Sequence, residues 1–223
     1  MMAPRTHVLA VCVSIALSAF SAPVHAQIVN GSFETGSFAS WVTQDVSSPF
    51  FPLQVAGAGQ NPGFGFFTSA PTNGRWAALH GFDGAGRSGG TNTISVAQDA
   101  LIDAPILEFD YRAAWDMTFG ATRDREFSVN IEPTGGGAPL QTTLLLTAAA
   151  GTTMMDTGPL TASIDVSGFV DGVHRVSFEW LVPEDFTGPG FFQLDNVRLT
   201  PEPGSLLLLG LGGLLLARRR RGG

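Results

Sequence analysis

The chain has 223 residues, with 12 arginines and no lysine, 19 acidic residues and one cysteine. Between its two ends, residues 27–200 hold seven arginines against eighteen acidic residues, a balance of −11 that excludes binding to nucleic acid or anionic lipid by charge. Cys12 lies in the N-terminal stretch, so the body has no disulfide or thiol chemistry and needs a large core or a bound metal to hold it.

In chain order, residues 1–26 read as a secretory signal peptide. Arg5 and His7 precede the apolar run 8–20, and Pro23 ends it. Val24-His25-Ala26 then places compact residues at the −3 and −1 positions of a signal-peptidase cut before Gln27. A buried N-terminal helix is the alternative, but the run has no polar face to turn to water.

Period-two alternation predicts strands over 27–34, 40–46, 75–82, 93–99, 106–113, 126–132, 140–146, 163–166, 173–181 and 191–199. The pattern is cleanest in 126–132 and 173–181; in 106–113 Leu107, Phe109 and Tyr111 share a face. Residues 144–150 are also compatible with a short helix. The longest loop, 57–73, sets Phe64, Phe66 and Phe67 among glycines; 83–90 is a second irregular stretch and 134–139 a plain turn. This order predicts an all-β, antiparallel jelly-roll-type β-sandwich as one domain over 27–199.

The C-terminal stretch, 200–223, has three parts. Pro201-Glu202-Pro203 bars helix before it, the apolar run 204–217 follows, and Arg218, Arg219, Arg220 and Arg221 close it. At about 1.5 Å per residue that run covers roughly 21 Å, short of a ~30 Å hydrocarbon core. The arginine stems can snorkel, and such a cluster stays cytoplasmic. The reading is therefore a short transmembrane helix with the body outside. These three parts in this order resemble the PEP-CTERM sorting signal of Gram-negative bacteria. The resemblance implies recognition by an exosortase-type enzyme, with the body first anchored to the inner membrane in the periplasm and then released or transferred to the surface. It also implies a setting of exopolysaccharide and biofilm matrix. A plain tail anchor is the alternative.

The body opens on Asn30-Gly31-Ser32-Phe33-Glu34, with Trp41 soon after, and closes on Asp195-Asn196-Val197. This pair of signatures resembles the galactose-binding-like jelly rolls, many of them carbohydrate-binding modules. The resemblance implies that the two ends meet and that Glu34 and Asp195 help to hold a structural calcium. The alternative is that both acids only cap turns or pair with Arg75 or Arg198. Aromatic side chains can stack on sugar rings, which makes Trp76, Trp115, Phe64 and Phe66 candidate ligand contacts; Trp41 and Trp180, in alternating strands, belong to the core.

No zinc spacing, nucleophile elbow or phosphate cradle is present, and His80 and His174 have no partner at ligand spacing. The acids 116, 124 and 126 are the nearest approach to a glycosidase pair. The sequence thus points to a noncatalytic exported protein associated with exopolysaccharide. Its rivals are an adhesive matrix protein without sugar specificity and a secreted polysaccharide hydrolase.

Overall fold

The structure, a computed structural model, describes residues 27–61, 65, 68–85 and 92–201, with the backbone alone for 82–85 and 92. The signal segment, the tail beyond Pro201, Phe64 and Phe66 lie outside the described residues, and so do both flanking helices.

Eleven strands form the body: β1 (Val42–Gln44), β2 (Ser48–Gly57), β3 (Trp76–Ala85), β4 (Asn92–Leu101), β5 (Ile106–Asp116), β6 (Arg125–Pro133), β7 (Gln141–Ala148), β8 (Thr153–Met154), β9 (Leu160–Asp165), β10 (Val173–Val182) and β11 (Gly190–Thr200). They build two antiparallel sheets, in the order β1-β4-β10-β6-β7 and β2-β3-β11-β5-β8, with β9 also paired to β5. Most connections pass from one sheet to the other, which makes the body a jelly-roll-type sandwich.

The alternating residues are what close it. Val176, Phe178, Trp180 and Val182 of β10 and Phe127, Val129 and Ile131 of β6 turn inward. They meet Leu107, Phe109 and Ala113 of β5 and Phe192 and Leu194 of β11. Phe127 stacks on Phe192 with ring centroids 3.7 Å apart, and Phe109 meets Phe178 edge-on at 4.9 Å.

Several expectations are corrected. Residues 27–34 form turns rather than a strand, because Asn30 and Phe33 have positive φ (55° and 56°), which a pleated strand cannot hold. The strand expected at 40–46 shrinks to Val42–Gln44. Strand β2 was not among the expected strands; it carries Pro49 and Pro52, and as a sheet edge it tolerates a missing N–H. The possible helix at 144–150 is strand to Ala148, since the 141–148 backbone pairs with β6.

The outer faces of the two sheets differ. The segment after β2 folds back over the six-stranded sheet. Ala70 donates its N–H to Gln193 Oε1 (2.9 Å) and accepts from Gln193 Nε2 (2.8 Å). Arg112 Nη1 donates to the Thr68 carbonyl (3.2 Å). Beneath this cover Ala56, Leu79, Ala114 and Phe191 form a second, small apolar cluster. The five-stranded sheet has no described segment across its outer face.

Replacing Phe127 by Ala should cost about 3–5 kcal/mol, as for other buried aromatics. It should lower the midpoint of thermal unfolding by about 6–20 °C. Leu144→Ala, at an exposed site on the neighbouring strand, should change it by less than about 2 °C. Circular dichroism melts of the three chains check this.

Candidate functional site

The two terminal signatures do meet, through backbone contact. Val197 donates its N–H to the Gly31 carbonyl (3.0 Å), and a Cβ on Gly31 would lie 2.0 Å from the Val197 carbonyl oxygen. Only glycine allows this approach. On the other strand a bulge sits between Asp195 and Arg198, with Asn196 at φ 55°. The Asn30 side chain donates to the carbonyls of Ser37 and Ala39 and accepts from the Thr35 N–H, closing the opening turns. Phe33, fully buried, stacks on Trp41, whose Nε1 donates to the Asn30 carbonyl.

Glu34 and Asp195 both reach the segment 72–76. Asp195, 1 % exposed, accepts the N–H groups of Thr72 (2.7 Å) and Asn73 (2.9 Å) on Oδ2 and that of Asn196 (2.7 Å) on Oδ1. Burial raises its pKa against the pull of those N–H groups. Glu34 Oε1 accepts from the N–H groups of Arg75 (2.7 Å) and Trp76 (2.9 Å). Gly74, at φ 89°, leaves room for that carboxylate; a Cβ there would lie 2.3 Å from it. Across the sheet from Asp195, Asp110 accepts from Thr72 Oγ1, Thr161 Oγ1 and Asn196 Nδ2. Burial works against its ionisation, but these bonds outweigh it and hold its pKa below the usual value.

Calcium asks for six to eight oxygen ligands. At Glu34 Oε1 and Asp195 the partners are N–H donors and the Thr72 hydroxyl, so the two acids meet hydrogen-bond donors of the 72–76 segment rather than further oxygen ligands. Among the described residues no group of three or more His, Cys, Asp or Glu has metal-binding placement. These two acids therefore do not fit a shared calcium in this arrangement; they hold backbone.

Three of the four tryptophans are placed inward. Trp41, Trp115 and Trp180 are 7 %, 8 % and 2 % exposed, and Trp115 Nε1 donates to Thr152 Oγ1. Trp76, half-buried, packs beside Gly36 and Gly57. Trp115 is thus almost enclosed, whereas Trp76 keeps part of its surface exposed. The gap between the sheets, lined by His80, Trp180 and Phe192 among others, measures about 30 Å³, room for one or two waters and not for a sugar.

The hydrolase acids are engaged. Asp116 accepts from Thr118 Oγ1, the Thr118 N–H and Thr153 Oγ1, and the Thr118 hydroxyl bond leads in holding its pKa low. An acid kept ionised is a poor proton donor. Asp124 accepts the Ala150 N–H, and Glu126 lies exposed on the five-stranded sheet.

Two features escaped sequence reasoning. The first is a rim. Phe50, Phe119, Phe186 and Met155 are more than half exposed. Phe119 and Phe186 sit on the loops after β5 and β10, which Glu184 ties together by accepting the N–H groups of Thr122 and Arg123. Phe50 stands at the same end, since Phe51 pairs with Gly81 and Gly81 with Phe191. Thr200 leaves from the opposite end, paired with Ile106. The second is a group of acids on the open sheet, Glu132 and Glu179, which only the β6–β10 register brings together.

Residues 199–221 match the PEP-CTERM protein-sorting motif, which marks an exported, membrane-anchored protein. Among the described residues no helix is long and apolar enough to cross a membrane; the apolar run 204–217 lies outside them. No curated protein matches the sequence. Among solved structures, the chain is similar to the K3 cleaved adhesin domain of Lys-gingipain from Porphyromonas gingivalis w83, at 16 % identity and TM-score 0.48 over 79 % of this chain and 99 % of that one. It is similar to Caldicellulosiruptor saccharolyticus CBM27-1 in complex with mannohexaose, at 16 % identity and TM-score 0.46 over 77 % and 96 %. It is also similar to TmCBM61 in complex with beta-1,4-galactotriose, at 15 % identity and TM-score 0.45 over 79 % and 99 %. Likenesses this distant transfer no ligand to this chain.

Asp195→Ala leaves the N–H groups of Thr72, Asn73 and Asn196 without their acceptor. It should cost about 3–5 kcal/mol and lower the melting midpoint by about 6–20 °C. Glu34→Gln keeps an acceptor oxygen and should shift it far less. Thermal melts in the presence of a chelator measure both effects with any metal removed.

Proposed function

We propose that this chain is a noncatalytic envelope protein that presents its sandwich to extracellular polysaccharide. Residues 1–26 route it through general secretion and are cut by signal peptidase. The PEP-CTERM tail then holds it in the inner membrane until an exosortase-type enzyme processes it, and the body, 27–199, ends at the cell surface or in the matrix.

The observation that supports this reading is the polarity of the sandwich. The chain leaves toward its sorting tail at one end, and Phe50, Phe119 and Phe186 stand exposed at the other. A body tethered in this way holds the aromatic rim farthest from the membrane. Exposed aromatic rings give a flat apolar surface to the C–H faces of sugars, and their loops carry hydroxyl, amide and carboxylate groups for the sugar hydroxyls. The acidic, lysine-free body directs the rim toward neutral chains rather than polyanions.

A second reading, adhesion without sugar specificity, is favoured by the burial of Trp41, Trp115 and Trp180, which withdraws the broadest platforms from the surface.

Affinity electrophoresis of the purified full-length chain through the producing organism's exopolysaccharide separates the two. Under the leading reading the protein is retarded. Phe119→Ala with Phe186→Ala then weakens binding about thirtyfold, from roughly 1 kcal/mol per ring. Absence of retardation for the native chain rejects the sugar reading and leaves adhesion.

A further inference from the structure

On the open face of the five-stranded sheet, β6 and β10 pair Glu132 with Arg175, Asn130 with Ser177 and Ser128 with Glu179. Glu132 and Glu179 extend toward each other over this ladder. Ser177 Oγ donates to Glu179 Oε1 (3.1 Å), and Glu132 lies on the same face, close enough to feel the charge of Glu179. Asn130 and Ser177 are each only 2 % exposed, although their side chains point away from the core. Glu132 is 6 % exposed.

The charged groups on this face come from three strands. Strand β4 brings Asp99, β10 brings Arg175 and Glu179, and β6 brings Glu126 and Glu132; β7 carries no charged side chain. Asp99 already holds Arg175 through both carboxylate oxygens (2.8 and 3.2 Å). The group of Asp99, Arg175, Glu132 and Glu179 therefore has two negative charges in excess.

Two carboxylates in contact need a positive partner between them, either a proton or a cation. The neighbouring amide distinguishes these. Asn130 Oδ1 is buried on this face with no hydrogen-bond partner. A buried acceptor left unmade costs about 1–3 kcal/mol. A proton shared by the two glutamates does nothing for it, whereas a cation takes up both carboxylates and this oxygen at once.

We propose that Glu132, Glu179 and Asn130 Oδ1, with Ser177 Oγ beside them, form a binding site for one calcium-class divalent cation. The donors are all hard oxygens, without the nitrogen or sulfur that zinc and copper sites use. Both glutamates can bind through two oxygens, and water from the open face completes the six to eight ligands that calcium takes. The ion's two charges match the local excess. The site is separate from Glu34 and Asp195, which bind the backbone of the 72–76 segment.

The test is calorimetric titration of calcium into the full-length chain in detergent after chelator treatment, with thermal melts beside it. The native chain should take up one equivalent. At calcium a hundredfold above Kd, it should melt about 5–11 °C higher. Glu179→Gln should weaken binding at least tenfold, yet melt higher than the native chain in chelator, because the like-charge contact is gone. Asn130→Asp should melt lower than native in chelator and regain or exceed native stability with calcium, a reversal that a merely structural asparagine would not produce. Glu34→Gln should bind as native. The proposal is overturned if calcium gives neither heat nor a higher melting point, if Glu179→Gln binds as native, or if Glu34→Gln abolishes binding.

Discussion

Two buried polar side chains on the last strand set the arrangement of this molecule. Gln193 and Asp195 point outward from β11, where side chains of a two-layer sandwich normally meet water, yet both are 1 % exposed. They are covered because they bind what covers them: the Gln193 amide pairs with both backbone groups of Ala70, and Asp195 collects the N–H groups of Thr72 and Asn73. The loop after β2, closed at its base by Gly59, Gln60 and Ser69, is thereby fixed to the six-stranded sheet. Its unpaired backbone finds partners, and the apolar residues Leu79, Ala114 and Phe191 beneath it gain a cover.

Three consequences follow from that cover. The described part of the loop lies on the outer face of the six-stranded sheet, while no described segment crosses the five-stranded one. The bulge at Asn196 that turns Asp195 toward the loop also brings Val197 onto Gly31, which ties the opening turns to the closing strand. The opening turns and the end of β11 then sit at the same end of the sandwich as the 72–76 segment, and the loops after β5 and β10 are left at the other, where the exposed phenylalanines are. Anchoring, the aromatic rim and the acidic group on the open sheet thus occupy separate surfaces of one body.

Much of the fold was legible in the sequence. Strands β6 and β10 alternate cleanly because one face is core and the other is not, and with the turn-bounded segments around them they give the all-β jelly-roll class. Legibility failed where tertiary contact overrides local pattern. Residues 27–34 alternate like a strand, but the close approach of Val197 to Gly31 and the left-handed Asn30 and Phe33 turn them into a knot. Strand β2 was not among the expected strands; its Pro49 and Pro52 are tolerated at a sheet edge. The meeting of the two end signatures was legible, but the choice between calcium and turn capping for their acids was not, because whether Glu34 and Asp195 face oxygens or N–H groups depends on the path of a loop some forty residues from one and more than a hundred from the other. Glu132, Glu179 and Asn130 were invisible as a group, since each sits in an ordinary alternating strand and only the β6–β10 register assembles them.

Hydrogen exchange of the amides of Ala70, Thr72 and Asn73 in the full-length chain tests this account most directly. If Gln193 and Asp195 clamp the loop, those three amides exchange only with opening of the sandwich, at rates near those of core amides such as Val129 and Phe178. Exchange as fast as that of an exposed turn such as Gly151 would show a loose loop and contradict the account.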